Sequence, residues 1–190
     1  MKIQNSKAIL PKNEKPLEWM GEISMNAYDV VVDLLSRKAI KFKIHEHKAV
    51  RTIHDAERIA PTLVAGLLKT IAFRIKDSFW VLAAVRCQDR IDYRKLAAAL
   101  KVNRRQLHSL SPEEVRAELG YEVGGVGPIP PRGDVKAVFD TSLRDAGTIY
   151  CGSGSNTLTL ELEFGDLLRV TEGEIHPIIR ESSKDHGASD

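Results

Sequence analysis

Apolar residues along this chain recur first at helical spacing and then at strand spacing. Ala27, Val30, Val31, Leu34 and Leu35 follow the i, i+3, i+4, i+7, i+8 pattern and predict a helix over 25–39, capped by Ser24. Residues 41–50 switch to alternation, with Phe42 and Ile44 on one face and Lys41, Lys43 and His45 on the other, the pattern of a half-buried strand. Thr52 caps a short helix that turns Ile53, Ala56 and Ile59 inward and that Pro61 ends. Residues 70–75 (TIAFRI) and 79–85 (FWVLAAV) predict a hairpin through Lys76-Asp77-Ser78. Asp92 caps a helix over 93–100, with Leu96, Ala97 and Leu100 facing inward. Ser111-Pro112-Glu113-Glu114 combines an N-cap, a first-turn proline and first-turn acids, and opens a helix that ends near Leu119-Gly120. Strands follow at 135–139, 148–151 and 157–162, then a short helix over 164–168, with 167–170 running into a last edge element.

Strands outnumber helices and occur both in hairpins and as helix-separated pairs. The expected class is therefore α/β (mixed α+β), with a largely mixed sheet curled toward a barrel and a few packing helices. One globular domain over 25–178 is expected, after a polar extension at 1–24 broken by Pro11 and Pro16 and before a polar tail at 179–190.

Composition narrows the class. The 190 residues are 43% hydrophobic and 28% charged, enough apolar material for a core without staples. Cys87 and Cys151 alone make a disulfide scaffold improbable and fit a reducing cytosol. No apolar run has the length of a membrane span, and the N-terminus lacks the apolar stretch of a secretory signal, so the expected location is the cytoplasm, with no membrane partner. A net charge of +2 neither requires nor excludes nucleic acid.

Several features could carry chemistry, each with a plain structural alternative. Lys69 stands directly before an apolar strand; its ammonium could meet a phosphate or carbonyl oxygen in a pocket, or snorkel to water. The loop GYEVGGVGPIPP holds Gly120, Gly124, Gly125 and Gly127 with Pro128, Pro130 and Pro131, and could present stiffened backbone N–H groups to a ligand or be a long connection. Gly152-Ser153-Gly154-Ser155-Asn156 could bind phosphate or ribose, although a hairpin turn explains it better in isolation. Arg86, Arg90, Arg94, Lys95, Lys101, Arg104 and Arg105 face only Asp89 and Asp92 between positions 86 and 105; a phosphate backbone could dock there, though a solvated helix face suffices. Cys87 and Cys151 lack a local catalytic partner and are expected to be buried and structural. His45 and His47 share a strand face, with His54 nearby, but no further ligand set completes a zinc site, so neither metal nor cofactor is expected.

The order of these pieces resembles the YbaK family, also called the prolyl-tRNA synthetase associated or insertion domain. Arg51-Thr52, LLKTIAFRI, FWVLAAV, IDYRKLAAAL, SPEEVRAELGYEVGGVGPIPP, VFDTSL and GSGSNTLTLELEFGDLLRV succeed one another over about 41–171. The resemblance implies a mixed α/β fold and deacylation of mischarged tRNA, typically tRNA for proline carrying alanine or cysteine. It matches Lys69 to the family lysine, Gly124, Gly125, Val126, Gly127 and Pro128 to the GxxxP loop, and Gly152, Ser153, Gly154 and Ser155 to the glycine turn. It also implies that the substrate's ribose hydroxyl assists the attacking water, which accounts for a site without nucleophile or metal. The chain departs from the pattern after Pro128, where Ile129 leads into Pro130-Pro131-Arg132-Gly133 and is expected to reshape the pocket floor.

On this reading Lys69, Gly124, Gly125 and Gly127 are the catalytic set. Val126, Pro128 and Gly152–Ser155 contact substrate, and Arg86, Arg90, Arg94, Lys95, Arg104 and Arg105 grip the acceptor end of a mischarged tRNA. An aminoacyl-tRNA synthetase is a second conceivable partner. Two other readings stay open: a tRNA-, aminoacyl- or nucleotide-binding module of the same fold without catalysis, and an esterase using Cys87 or Cys151. The amino acid, the tRNA and the oligomeric state are not legible.

Overall fold

The computed structural model describes residues 26–59 and 61–181. The expected extension at 1–24 with its Ser24 cap, the inward side chain of Ile53, and the tail beyond 181 lie outside the described residues.

The first helix, α1 (Ala27–Arg37), is capped by Asn26, whose side chain accepts from the Asp29 N–H at 3.2 Å. It buries Ala27, Val31 and Leu35. Strand β1 (Phe42–Glu46) lies at a sheet edge, so Phe42 reaches the core while Ile44, expected beside it on the buried face, stays 37% exposed. Thr52 caps α2 (Ile53–Ile59) reciprocally: its Oγ1 accepts from the Asp55 N–H at 3.1 Å, and the Asp55 carboxylate accepts from the N–H groups of Arg51 and Thr52. A 3-10 turn at Pro61–Gly66 then leads into β2 (Leu68–Ile75). Lys69 is therefore the second residue of the strand and not the residue in front of it.

The hairpin from β2 to β3 (Trp80–Arg86) forms as expected, with Asp77 at φ 57° and the Ile75 N–H donating to Phe79 O at 3.0 Å. Asp92 caps α3 (Tyr93–Ala99), and Ser111 and Glu114 form a capping box on α4 (Pro112–Leu119), which ends on Gly120 at φ 70°. Strand β4 (Leu107–Ser109), with three residues, has too short an apolar signal to be read from sequence. The remaining elements are β5 (Val135–Asp140), β6 (Thr148–Gly152), β7 (Leu158–Glu163), α5 (Phe164–Thr171) and β8 (Glu174–His176). The final edge strand is thus β8; residues 167–170, expected to lead into it, belong to α5.

Two sheets result. One is antiparallel, in the order β1-β7-β6; the other is mixed, in the order β4-β2-β3-β5-β8, with β3–β5 and β5–β8 parallel. A parallel bridge between Leu67 and Tyr150 joins them. The main core lies between the sheets and under α1 and α5, and includes Leu35, Phe139, Leu143, Leu160 and Leu167. Ile75, Val81, Leu96 and Leu107 form a second core where α3 covers the mixed sheet.

The join between the sheets is incomplete. At one end of β2, Leu67 meets β6; at the other, residues 73–75 pair with β4, and Leu110 donates to Ala72 O at 3.0 Å. Residues 69–71 have β3 on one side and neither β4 nor β6 on the other. Because pairing directions alternate along a strand, the N–H and C=O of Thr70 turn away from β3 into this gap.

Candidate functional site

A cavity of about 440 Å³ occupies the gap in β2, within the usual range for ligand pockets. Lys69, Thr70, Ile71 and Ala72 form one side. Arg51, Thr52 and Ala56 approach from the start of α2, Leu110, Pro112 and Val115 from the start of α4, and Val123, Gly124, Val126, Gly152, Ser155 and Asn156 from two loops.

Those two loops are one construction. Gly154 donates to Gly125 O, Glu122 to Gly154 O, and Gly125 to Glu122 O, each at 2.9 Å. The Glu122 carboxylate accepts from the Asn156 N–H at 2.7 Å and from Ser155 Oγ at 3.0 Å. At Gly127 a Cβ would stand 1.9 Å from Gly152 O, so only glycine permits the loops to touch. Gly124 has φ +90°, and a Cβ there would stand 2.0 Å from Val50 O.

This packing separates the predicted residues. Lys69, Gly124, Val126, Gly152 and Ser155 line the cavity. Gly125, Gly127, Pro128, Ser153 and Gly154 stand behind its wall. The Gly125 N–H is taken by Glu122 O, and buried Ser153 donates its hydroxyl to Leu158 O at 2.7 Å. Their part is to join the loops. No described residue accepts from the N–H groups of Gly124 or Val126. Pro130 and Pro131, expected to reshape the floor, line a separate groove with Val30, Leu34 and Val170.

Lys69 is held firmly. Its Nζ donates to Cys87 O at 3.2 Å and also to Asp89 O, which leaves one ammonium N–H for a ligand. Burial lowers its pKa. Beside it, Thr70 Oγ1 is buried and finds no partner among the described residues. Its hydroxyl is thus an unmet hydrogen-bonding group shielded beside the cavity wall. Sequence reasoning missed Thr70, since a threonine in a strand carries no signal of its own.

Residues 47–170 match the family profile described as the aminoacyl-tRNA editing domain. The chain belongs to that family. It is 27% identical over 111 residues to the uncharacterized protein YwhH of Bacillus subtilis (strain 168), covering 58% of this chain and 69% of YwhH. It is 27% identical over 136 residues to a proline–tRNA ligase of Streptococcus equi subsp. equi (strain 4047), covering 67% of this chain but only 22% of the ligase. Among solved structures, a candidate trans-editing enzyme for prolyl tRNA synthetase superimposes with a TM-score of 0.69 at 22% identity, over 82% of this chain and 98% of that one. The hypothetical protein APE2540 gives the same score at 17% identity, over 80% of this chain and 99% of the other. At these identities the structural matches establish the shared fold.

Other candidate groups of the editing domain fall outside the cavity or are already engaged. Cys151 is fully buried in the main core, and burial pushes its thiol up to about 12. Cys87 borders the cavity but is 3% exposed; burial raises its pKa, although neighbouring Lys69 opposes this, and its Sγ donates to Val64 O at 3.5 Å. Neither thiol is an activated nucleophile. His45 pairs with Glu161 at 2.6 Å, His47 bonds Lys48 O and Thr159 Oγ1, and His54 lies 3.7 Å from Glu57. No helix among the described residues is long and apolar enough to cross a membrane.

The basic residues also divide. Arg90, Arg94 and Arg104 surround a second cleft of about 610 Å³ that reaches Lys69, and Arg180 joins them. Arg86 instead donates to Ser142 O at 3.0 Å, Lys95 pairs with Glu181 at 2.7 Å, and Arg105 is exposed outside the cleft.

Proposed function

We propose that this chain is an aminoacyl-tRNA deacylase that acts on free, mischarged tRNA. The observation that carries this reading is the cavity at the gap in β2, lined by a pinned lysine, a threonine with an unpartnered hydroxyl, and Gly124 and Val126 of the glycine loop, in a protein of the editing family.

The substrate ester is already activated, so the site needs to place water and stabilise charge. Water attacks the ester carbonyl; its oxygen bonds to the acyl carbon while the bond to the ribose oxygen breaks. The water proton passes to that ribose oxygen, releasing the amino acid and an intact tRNA. The N–H groups of Gly124 and Val126 are the available loop donors for the carbonyl oxygen as it becomes an oxyanion. Lys69, held by two carbonyls, positions an oxygen of the terminal nucleotide with its remaining N–H and does not move a proton. Thr70 Oγ1 takes a polar group of the acyl-ribose unit. Ile71, Leu110 and Val115 close the acyl side, so acceptance by size falls to apolar walls that favour a small amino acid. The similarity to a proline–tRNA ligase makes tRNA for proline the first substrate to test.

Alanyl-, cysteinyl-, seryl- and threonyl-tRNA would be incubated with wild type and with Lys69→Ala. Faster deacylation of at least one by wild type, lost in Lys69→Ala, supports the proposal. Equal rates for both proteins, or no acceleration on any of the four, would sink it.

A further inference from the structure

The second cleft is bordered largely by basic side chains, which is unusual for a protein with a net charge of +2. Arg90, Arg94, Arg104 and Arg180 border it, with Tyr93 and Asp92. All four arginines are exposed, and none forms an ion pair with a carboxylate among the described residues. Asp92 Oδ1 accepts from the N–H groups of Lys95 and Arg94, which keep its pKa low, so one negative charge stands against the four positive ones. Exposed arginines normally disperse or pair; four held around one opening create a positive field that an anion chain would relieve.

The cleft is built, and its parts come from distant segments. Arg180 donates its N–H to Arg90 O at 2.7 Å, and Ile91 bridges Ile179, so the two arginines sit side by side across a short antiparallel contact. That contact is fastened from below: buried Asp140 accepts from the N–H groups of Ile178 and Ile179 at 2.8 and 3.1 Å. Arg104 is fixed by donating to Leu107 O at 2.9 Å and by stacking 5.0 Å over the Tyr93 ring. Lys69 lies on both the cleft and the cavity, so a strand entering the cavity by its end passes the four guanidinium groups.

We infer that this cleft is a phosphodiester subsite, in which Arg90, Arg94, Arg104 and Arg180 hold the sugar-phosphate backbone just upstream of the nucleotide that occupies the cavity. The inference rests on the proposed deacylase reading for what fills the cavity, but it concerns RNA binding and is read separately. Arg180 lies beyond residues 47–170, the family match, so this part of the grip belongs to the chain's own C-terminal segment.

The test measures binding of uncharged, 5′-labelled tRNA to the full chain by fluorescence anisotropy across a salt series. Wild type is compared with the Arg90→Ala/Arg180→Ala double variant and with Arg37→Ala, which removes an exposed arginine paired with Asp33 away from the cleft. Removing one arginine–phosphate pair lowers the slope of log K against log salt by about 1, so the slope of the double variant falls by about 2 while Arg37→Ala matches wild type. Arg90→Lys/Arg180→Lys, which keeps the charges, retains most of the slope. An unchanged slope in the double variant, or an equal fall in Arg37→Ala, overturns the inference. If wild type binds RNA with this pattern but deacylates nothing, the deacylase reading fails and the subsite stands. If wild type deacylates and the double variant binds as wild type does, the reverse holds.

Discussion

Replacing Asp140 by asparagine removes one charge at the point where the C-terminal segment is tied to the sheet. Asp140 is fully buried at the end of β5. Its Oδ1 accepts from the Ser142 N–H at 2.8 Å, and its Oδ2 accepts from Ile178 and Ile179 at 2.8 and 3.1 Å. Burial acts to raise its pKa, but the N–H donors outweigh this and hold the carboxyl below its ordinary value. Asparagine keeps one acceptor oxygen and turns an NH₂ toward N–H groups that need an acceptor. Hydrogen bonds to a charged group contribute about 1.5–3 kcal/mol each, and a buried donor left unpaired costs about 1–3 kcal/mol. Because these contributions overlap, Asp140→Asn should destabilise by roughly 3–5 kcal/mol. Urea unfolding at pH 7 followed by far-UV circular dichroism reads the difference. The sign with pH follows from the lowered pKa: the stabilisation is fully present above the unfolded value of about 3.9 and is lost as pH falls through the folded value. The gap between wild type and variant should therefore shrink in acid. A difference at pH 7 under about 1 kcal/mol, or one that persists unchanged below the folded pKa, would refute the assignment of an ionised tie.

Thr70→Val keeps the shape and removes the unpartnered hydroxyl; thermal unfolding should show stability unchanged or raised by up to about 1 kcal/mol, while deacylation slows. If stability falls and deacylation is untouched, the hydroxyl has a structural partner and no ligand role. Gly127→Ala forces a Cβ into Gly152 O and should cost roughly 1–3 kcal/mol or more in denaturant unfolding, with the two cavity loops parting. A variant as stable as wild type would mean the loops do not depend on this contact.

Much of the fold was legible because its signals are local. The caps at Thr52, Asp92 and Ser111, the hairpin at Asp77 and the glycine stop at Gly120 each follow from a few neighbouring residues. β4 was not, and the last edge strand was expected from 167–170 instead of at β8, since strands of three residues exist only through their partners β2 and β5. Lys69 and the glycine loops, singled out in the sequence, border one cavity, but sequence cannot divide glycines that line a cavity from those that let two loops touch. That division put Gly124 on the cavity and Gly127 behind it. The placement of Thr70 and Arg180 was hidden for a related reason: one borders a cavity because a neighbouring strand stops short, the other lies beside Arg90 because a distant carboxylate, Asp140, holds its segment there.

Turnover of substrate in the cavity, as opposed to mere binding, is measured directly by release of the amino acid. Alanyl-tRNA for proline, labelled in the amino acid, should be mixed with substoichiometric protein and followed for free alanine. Release should exceed the protein present severalfold and outpace spontaneous hydrolysis. Release that never rises above the spontaneous rate, with the tRNA demonstrably bound, would contradict turnover and leave a binding module.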